Sequence, residues 1–255
     1  MENSFPTYDS KIDMQILSYI PDSKLSNMCQ IDTYTAALCK RNELWELKLV
    51  NTFGSNILQY RDKNQTFREL YHQLISTQPI AIEGRWSKRF LLRAWANQAA
   101  KEGFLNILNW LFDEHMILPT GKIPMLHAVT HGQLNVIKWL KEHNISISHT
   151  EMRLAAKYGH LNVINWLNEH NIPLDRMSIR IAAGNGQLEV LKLANPALFD
   201  NFTINAACLG GHLEIVRWLE QRGIHPNFSC ADSAAMNGHQ NILTYLEQQH
   251  IFPTQ

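Results

Sequence analysis

The chain has 255 residues, 45% of them hydrophobic, enough for one large domain or two ordinary ones with a buried core. Lysine plus arginine and aspartate plus glutamate number 23 each, so no whole-chain field draws the protein onto nucleic acid or an anionic membrane. The four cysteines, Cys29, Cys39, Cys208 and Cys230, form no CxxC pair, and the opening "MENSFPTYDSK" lacks the apolar core of a secretory signal; both point to an intracellular protein with reduced thiols.

The first elements read as a compact cluster of short helices. Met14, Ile16, Leu17 and Ile20 mark one, ended by Pro21; Leu25, Met28, Cys29 and Ile31 mark a second; Ala37, Leu38, Leu44, Trp45 and Leu47 mark a third region. A polar "SNILQYRDKNQ" and an amphipathic "TFRELYHQLI" follow, and the segment as a whole spans residues 1–78. The stretch "DMQILSYIPDSKLSNMCQI" with "LCKRNELWELKL" behind it resembles an F-box, although the opening Leu-Pro of that family is missing and "DTYTAAL" lacks its usual tryptophan. The resemblance implies docking onto the Skp-type adaptor of a cullin-RING ubiquitin ligase, with Ile16, Leu17, Ile20, Pro21, Leu25, Met28, Ile31, Leu38 and Trp45 forming the docking face and its supporting core. The alternative is a helical cap that shields the next element from water.

Residues 79–94, "PIAIEGRWSKRFLLRA", are the linker and the entry into the next region. Their basic set, Arg85, Lys88, Arg89 and Arg93, reads as a solvated face rather than a nucleic-acid patch. The apolar run "FLLRAWA" is short and interrupted by Arg93, against the roughly 20 residues a membrane span requires.

From residue 95 to 255 the chain repeats itself. Six copies align on Gly103, Gly132, Gly159, Gly186, Gly211 and Gly238, as in "AAKYGHLNVINWL" and "ACLGGHLEIVRWL". Each copy predicts two helices around a break: small residues before the glycine allow close helix packing, the glycine supplies a left-handed conformation, and an apolar face at helical spacing follows. Prolines at 119, 173, 196, 226 and 253 discourage continuation of the second helix. One such pair cannot bury its own apolar face, so the pairs should stack into a solenoid, with the polar last copy, carrying Gln240, as its cap.

These residues carry a resemblance to ankyrin repeats: Thr150, Ala155, Ala156, Gly159, His160, Leu161, Val163 and Leu167 match the family pattern, and "GHLEIV" at 211–216 matches it closely. The repeats are shorter than the family's, which implies that the projecting hairpin between them is cut to a short loop. Repeats ending "WLxEH" also resemble those of ankyrin arrays from amoebae and their large DNA viruses. The fold expected is therefore all-α: a solenoid of about six ankyrin-like helix pairs preceded by a small helical F-box-like domain.

Within the repeats, His160, His212 and His239 read as structural groups that satisfy open backbone at the helix junction. His115, His143 and His170 end the second helices, too far apart to share one zinc. Trp110, Trp139, Trp166 and Trp218 share one position on the apolar face and read as core. No phosphate-cradling loop, HExxH or nucleophile–base pair is present, so no enzyme activity, metal or cofactor is expected. Recognition falls to the positions that vary just before each glycine: Lys101 and Glu102, Thr130 and His131, Lys157 and Tyr158, Gly184 and Asn185, Leu209 and Gly210, Met236 and Asn237. Of these Glu102, His131, Lys157, Tyr158, Asn185, Leu209, Met236 and Asn237 are the candidate contacts to a protein target; neither nucleic acid nor a membrane is expected as partner.

Overall fold

The structure, a computed structural model, describes residues 10–31, 33–77, 88–115 and 122–254, with the backbone alone at residues 12, 31, 77, 88–91 and 115. The bridging Pro79, Gly84 and Arg85, and Pro119, lie outside the described residues. Every described element is helical, as the sequence predicts: α1 Ser10–Ser18, α2 Asp22–Ile31, α3 Thr33–Lys40, α4 Asn42–Phe53, α5 Phe67–Thr77, α6 Lys88–Glu102, α7 Leu105–His115, α8 Ile123–Thr130, α9 Leu134–Glu142, α10 His149–Tyr158, α11 Leu161–Glu169, α12 Arg176–Gly184, α13 Leu188–Leu193, α14 Asn201–Gly210, α15 Leu213–Glu220, α16 Phe228–Met236 and α17 Gln240–Glu247. They fall into two compact units, residues up to 99 with 104–115, and residues 100–103 with 122–254.

In the first unit α1 packs on α4, α2 on α3, and α4 on α5. Leu17, Leu25, Leu44, Leu49, Leu70 and Leu74 fill its core, and an aromatic cluster joins Phe53 to Trp95 and Trp110 at ring distances of 6.0 Å each. Helix α5 starts with a reciprocal cap: Thr66 N donates to Glu69 Oε2 at 2.7 Å and Glu69 N donates to Thr66 Oγ1 at 3.1 Å. Among the described residues the one buried cation of this core, Lys48, sits at 3% exposure, and burying an ammonium is costly unless its donors are used. Its Nζ donates to the carbonyl of Ile20 at 2.9 Å and meets Asp22 Oδ1 at 3.1 Å; Tyr71 Oη donates to the same carboxylate. Burial, then the Asp22 charge, push the Tyr71 phenol well above its ordinary range, so it stays a donor.

The second unit is the solenoid. Helices α8, α10, α12, α14 and α16 pack side by side in chain order, and each is backed by the second helix of its own pair. Asp175, Asp200 and Asn227 cap the first helices by accepting from Ser178 N, Thr203 N and Cys230 N; Ser148 accepts from Thr150 N in a capping box with Glu151. The second helices end on residues in the left-handed region, Asn144, Asn171 and Gly223, the last two reversing the chain before Pro173 and Pro226 are reached. Connectors such as 143–148 and 170–175 contain no strand, so no hairpin projects between these pairs.

Two features depart from the sequence reading. The cysteines are paired rather than reduced: Cys29 bonds Cys39 between α2 and α3, and Cys208 bonds Cys230 between α14 and α16. Helix packing brings partners 10 and 22 residues apart to Cα distances of 6.0 and 5.4 Å, so the missing CxxC spacing carried no information about their state. The fourth repeat is also clipped. Helix α13 stops at Leu193 because Ala194 is extended ahead of Asn195 and Pro196, and Leu193, standing where four other repeats hold tryptophan and the last holds Tyr245, is 51% exposed. Phe199 then packs edge-on against Trp218 at 5.5 Å.

Candidate protein-interaction surface

The repeat glycines and the residues that follow them build the joint between neighbouring pairs. Gly132, Gly159 and Gly211 have φ between 69° and 81°, a region that Cβ-bearing residues avoid. The space above each is filled by the next repeat: His160 over Gly132, Gln187 over Gly159, His239 over Gly211. Three such side chains reach back to open helix ends, His160 Nε2 meeting Thr130 O at 2.8 Å, His239 Nε2 meeting Leu209 O at 2.9 Å, and Gln133 Nε2 donating to Lys101 O at 3.1 Å, whereas Gln187 donates to Asn185 O of its own repeat. The recurring histidines are thus structural, and their bonds cross from one repeat to the next.

A second set of links runs along the start of the first helices. Arg153 donates to Asp175 at 2.7 Å and Arg180 to Asp200 at 2.6 Å, each arginine holding the capping carboxylate of the following repeat. Burial would raise Asp175, but the hydrogen bonds from Arg153 and Ser178 outweigh it and hold its carboxyl at about 2. Asp200 is lowered in the same way, burial being outweighed by Arg180 and Thr203.

His143 and His170 bond within their own helices, while the side chain of His115 lies outside the described residues. His143 Nδ1 lies 2.8 Å from Trp139 O and His170 Nδ1 lies 2.7 Å from Trp166 O, with ring centroids 4.0 Å apart in both pairs. Trp110, Trp139 and Trp166 are buried; Trp218 is half-buried and carries the Arg222 guanidinium 3.6 Å from its ring centroid. Among the described residues no group of three or more His, Cys, Asp or Glu side chains comes together as a metal site.

The variable positions lie elsewhere. Glu102, His131, Lys157, Tyr158, Asn185, Leu209, Met236 and Asn237 are all exposed, at the C-terminal ends of the first helices. Gly184 and Gly210 serve packing instead: a Cβ on Gly210 would stand 2.2 Å from Gly184 O, so these two glycines let α12 and α14 approach backbone to backbone. Two helical turns before the variable positions stand exposed Met177 and Phe202, with Phe228 near the same level, on residues that sequence reasoning passed over. The 3.6-residue period was the available signal, since it sets Phe202 on the same helix face as Leu209 and Thr150 on that of Lys157.

Of the N-terminal candidates, Leu17, Leu25, Leu38 and Trp45 are core residues of the first unit, with Trp45 Nε1 donating to Cys39 O at 2.9 Å. Ile16, Ile20 and Met28 are half-buried and Pro21 is exposed; the side chain of Ile31 lies outside the described residues. Tyr19, between two of these positions, is 68% exposed and was not singled out from the sequence. Nearby, Arg68 and His72 border a cavity of about 330 Å³ lined also by Asp22, Leu25 and Trp45. Burial, then the Arg68 charge, lower the His72 imidazole, with Asp22 opposing.

A family model for ankyrin repeats matches residues 96–178 in three copies. A search of the curated proteins returns no match. Among the described residues no helix is long and apolar enough to cross a membrane. With the left-handed glycines, the paired helices and the stacked first helices already in place, residues 96–178 are ankyrin repeats, whose class of function is protein–protein interaction.

Proposed function

We propose that the protein is a substrate-recognition adaptor: the ankyrin array holds a target protein while the N-terminal helices α1 to α4 dock onto the Skp-type adaptor of a cullin-RING ubiquitin ligase. The observation that carries the reading is the order of the two parts, an F-box-like sequence followed by an array whose exposed positions before each glycine change in chemistry from repeat to repeat, while the positions of Ala155, Ala156, Val163 and Ile164 stay small or apolar. The mechanism is proximity. Tethering raises the effective concentration of the target at a ligase-bound ubiquitin donor, and the protein itself supplies no catalytic group, metal or cofactor. The "WLxEH" resemblance to amoebal and viral arrays makes the cell interior, host cytoplasm or nucleus, the place of action.

Because Leu17 and Leu25 are buried, a test of docking must use residues outside the core instead: exposed Tyr19→Asp and Pro21→Asp combined with half-buried Met28→Glu. The wild-type chain should co-purify with a Skp-type adaptor, and the triple variant, folded by circular dichroism, should not. Absence of the adaptor from the wild-type preparation would sink the ligase reading.

A second reading, a stand-alone ankyrin scaffold or inhibitor capped by the N-terminal helices, draws support from the Phe53, Trp95 and Trp110 cluster, which packs the first helix pair into the same unit as α1 to α5. It predicts that deleting residues 1–78 unfolds that pair and that no adaptor binds either form.

A further inference from the structure

The layer of first helices is chemically lopsided in two respects. Among the described residues, its only carboxylates from α8 to α16 are Glu151 and Asp232. Glu151 is fully buried, accepting from Ser148 N and Ser148 Oγ, and Asp232 accepts from Thr254 N and Thr254 Oγ1. The exposed ionisable groups of the layer are consequently basic: His149, Lys157 and Arg176, with His131 just past the end of α8. This basic character is confined to α8 through α12.

From Met177 onward the large exposed side chains of this layer are apolar. Met177, Phe202, Leu209 and Met236 are exposed at 46, 65, 51 and 84%, on three successive first helices that pack side by side. Between them the floor is low, because Gly184, Ala206 and Gly210 meet backbone to backbone and place no bulky side chain above the α12–α14 contact. Large apolar groups around a shallow floor form the kind of patch that a soluble chain leaves open for a partner. Tyr158 stands at the junction of the two halves, with Lys157 Nζ 5.3 Å from its ring centroid.

We infer that the occupant is a short segment of another protein that carries carboxylates at one end and large apolar side chains at the other, the acids facing Lys157 and the apolar groups seated between Met177, Phe202, Leu209 and Met236. Charge complementarity selects the acidic end, since the exposed charges of the first helices from α8 to α16 are cations, while the capping carboxylates Asp175 and Asp200 are held by Arg153 and Arg180 and the exposed Glu102 belongs to the preceding helix α6. The inference rests on the reading of this layer as the target-binding surface, and narrows it to one partner chemistry.

Selection of a phage-displayed random sixteen-residue peptide library on the full-length protein tests it, followed by affinity measurements with the variants Lys157→Glu and Met236→Asp, both at exposed positions that leave the core untouched. Enriched peptides should combine an acidic cluster with an apolar one, bind Met236→Asp about tenfold more weakly, and bind Lys157→Glu about fivefold more weakly. Replacing the acids of the peptide by lysines should restore binding to Lys157→Glu. Peptides that are basic or purely polar yet still lost with Met236→Asp overturn the partner chemistry and leave the surface standing. Peptides indifferent to both substitutions, or no enrichment, overturn the surface as well.

Discussion

The imidazole of His160 occupies the space where a Cβ on Gly132 would stand: an atom built there lies 2.7 Å from Nδ1, while Nε2 meets Thr130 O at 2.8 Å. A glycine of one repeat and a histidine of the next thus form a single joint. Gly132→Ala should lower stability by about 3 kcal/mol, from left-handed strain plus overpacking. Gly223→Ala, at φ 83° with nothing within 4 Å of the added Cβ, should show the backbone part alone, about 1 kcal/mol. Urea unfolding of the two variants checks the difference, and equal losses would refute the steric half of the joint.

His160→Ala removes the bond to Thr130 O and should cost about 1–2 kcal/mol. The chain itself indicates the tolerated replacement, since Gln133 makes the equivalent bond to Lys101 O at 3.1 Å. His160→Gln should therefore remain within about 0.5 kcal/mol of wild type, a comparison that thermal melts of the two variants resolve.

Lys48→Met leaves the Ile20 carbonyl and Asp22 without their shared donor. Asp22 is 41% exposed and keeps access to water, so the loss expected is about 1–2 kcal/mol rather than that of a fully buried broken pair. Adding Asp22→Asn should recover part of it in a double-mutant cycle; strictly additive losses would show that the two side chains do not interact.

Acid should loosen the repeats through Asp175. Its carboxyl is held at about 2 in the folded chain, below the ordinary value near ~3.9. The folded state therefore binds fewer protons than the unfolded one: the contribution is complete above the ordinary value and is lost as pH falls through about 2. Melting temperature should drop more steeply between pH 5 and pH 2 in wild type than in Asp175→Asn, and parallel curves would contradict the assignment.

Much of this was legible in the sequence. The glycine spacing, the small residues before it and the apolar face after it state the helix pairs, because each reports a local requirement that the chain must meet within a few residues: a left-handed turn, close backbone approach, one buried stripe. The same period separates buried Ala155 and Ala156 from exposed Lys157 and Tyr158. The clipped α13 is also local, since Asn195 and Pro196 stop it.

What only the tertiary structure decided are relations between residues that no local rule links. Packing of α14 against α16 pairs Cys208 with Cys230, and stacking of repeats sets His160 on Gly132 and Arg153 on Asp175. It also sorts the apolar N-terminal candidates, burying Leu17 and Leu25 while leaving Tyr19 at the surface. Sequence period gives the face of a helix, but which face meets a neighbour and which meets water depends on where the neighbour stands.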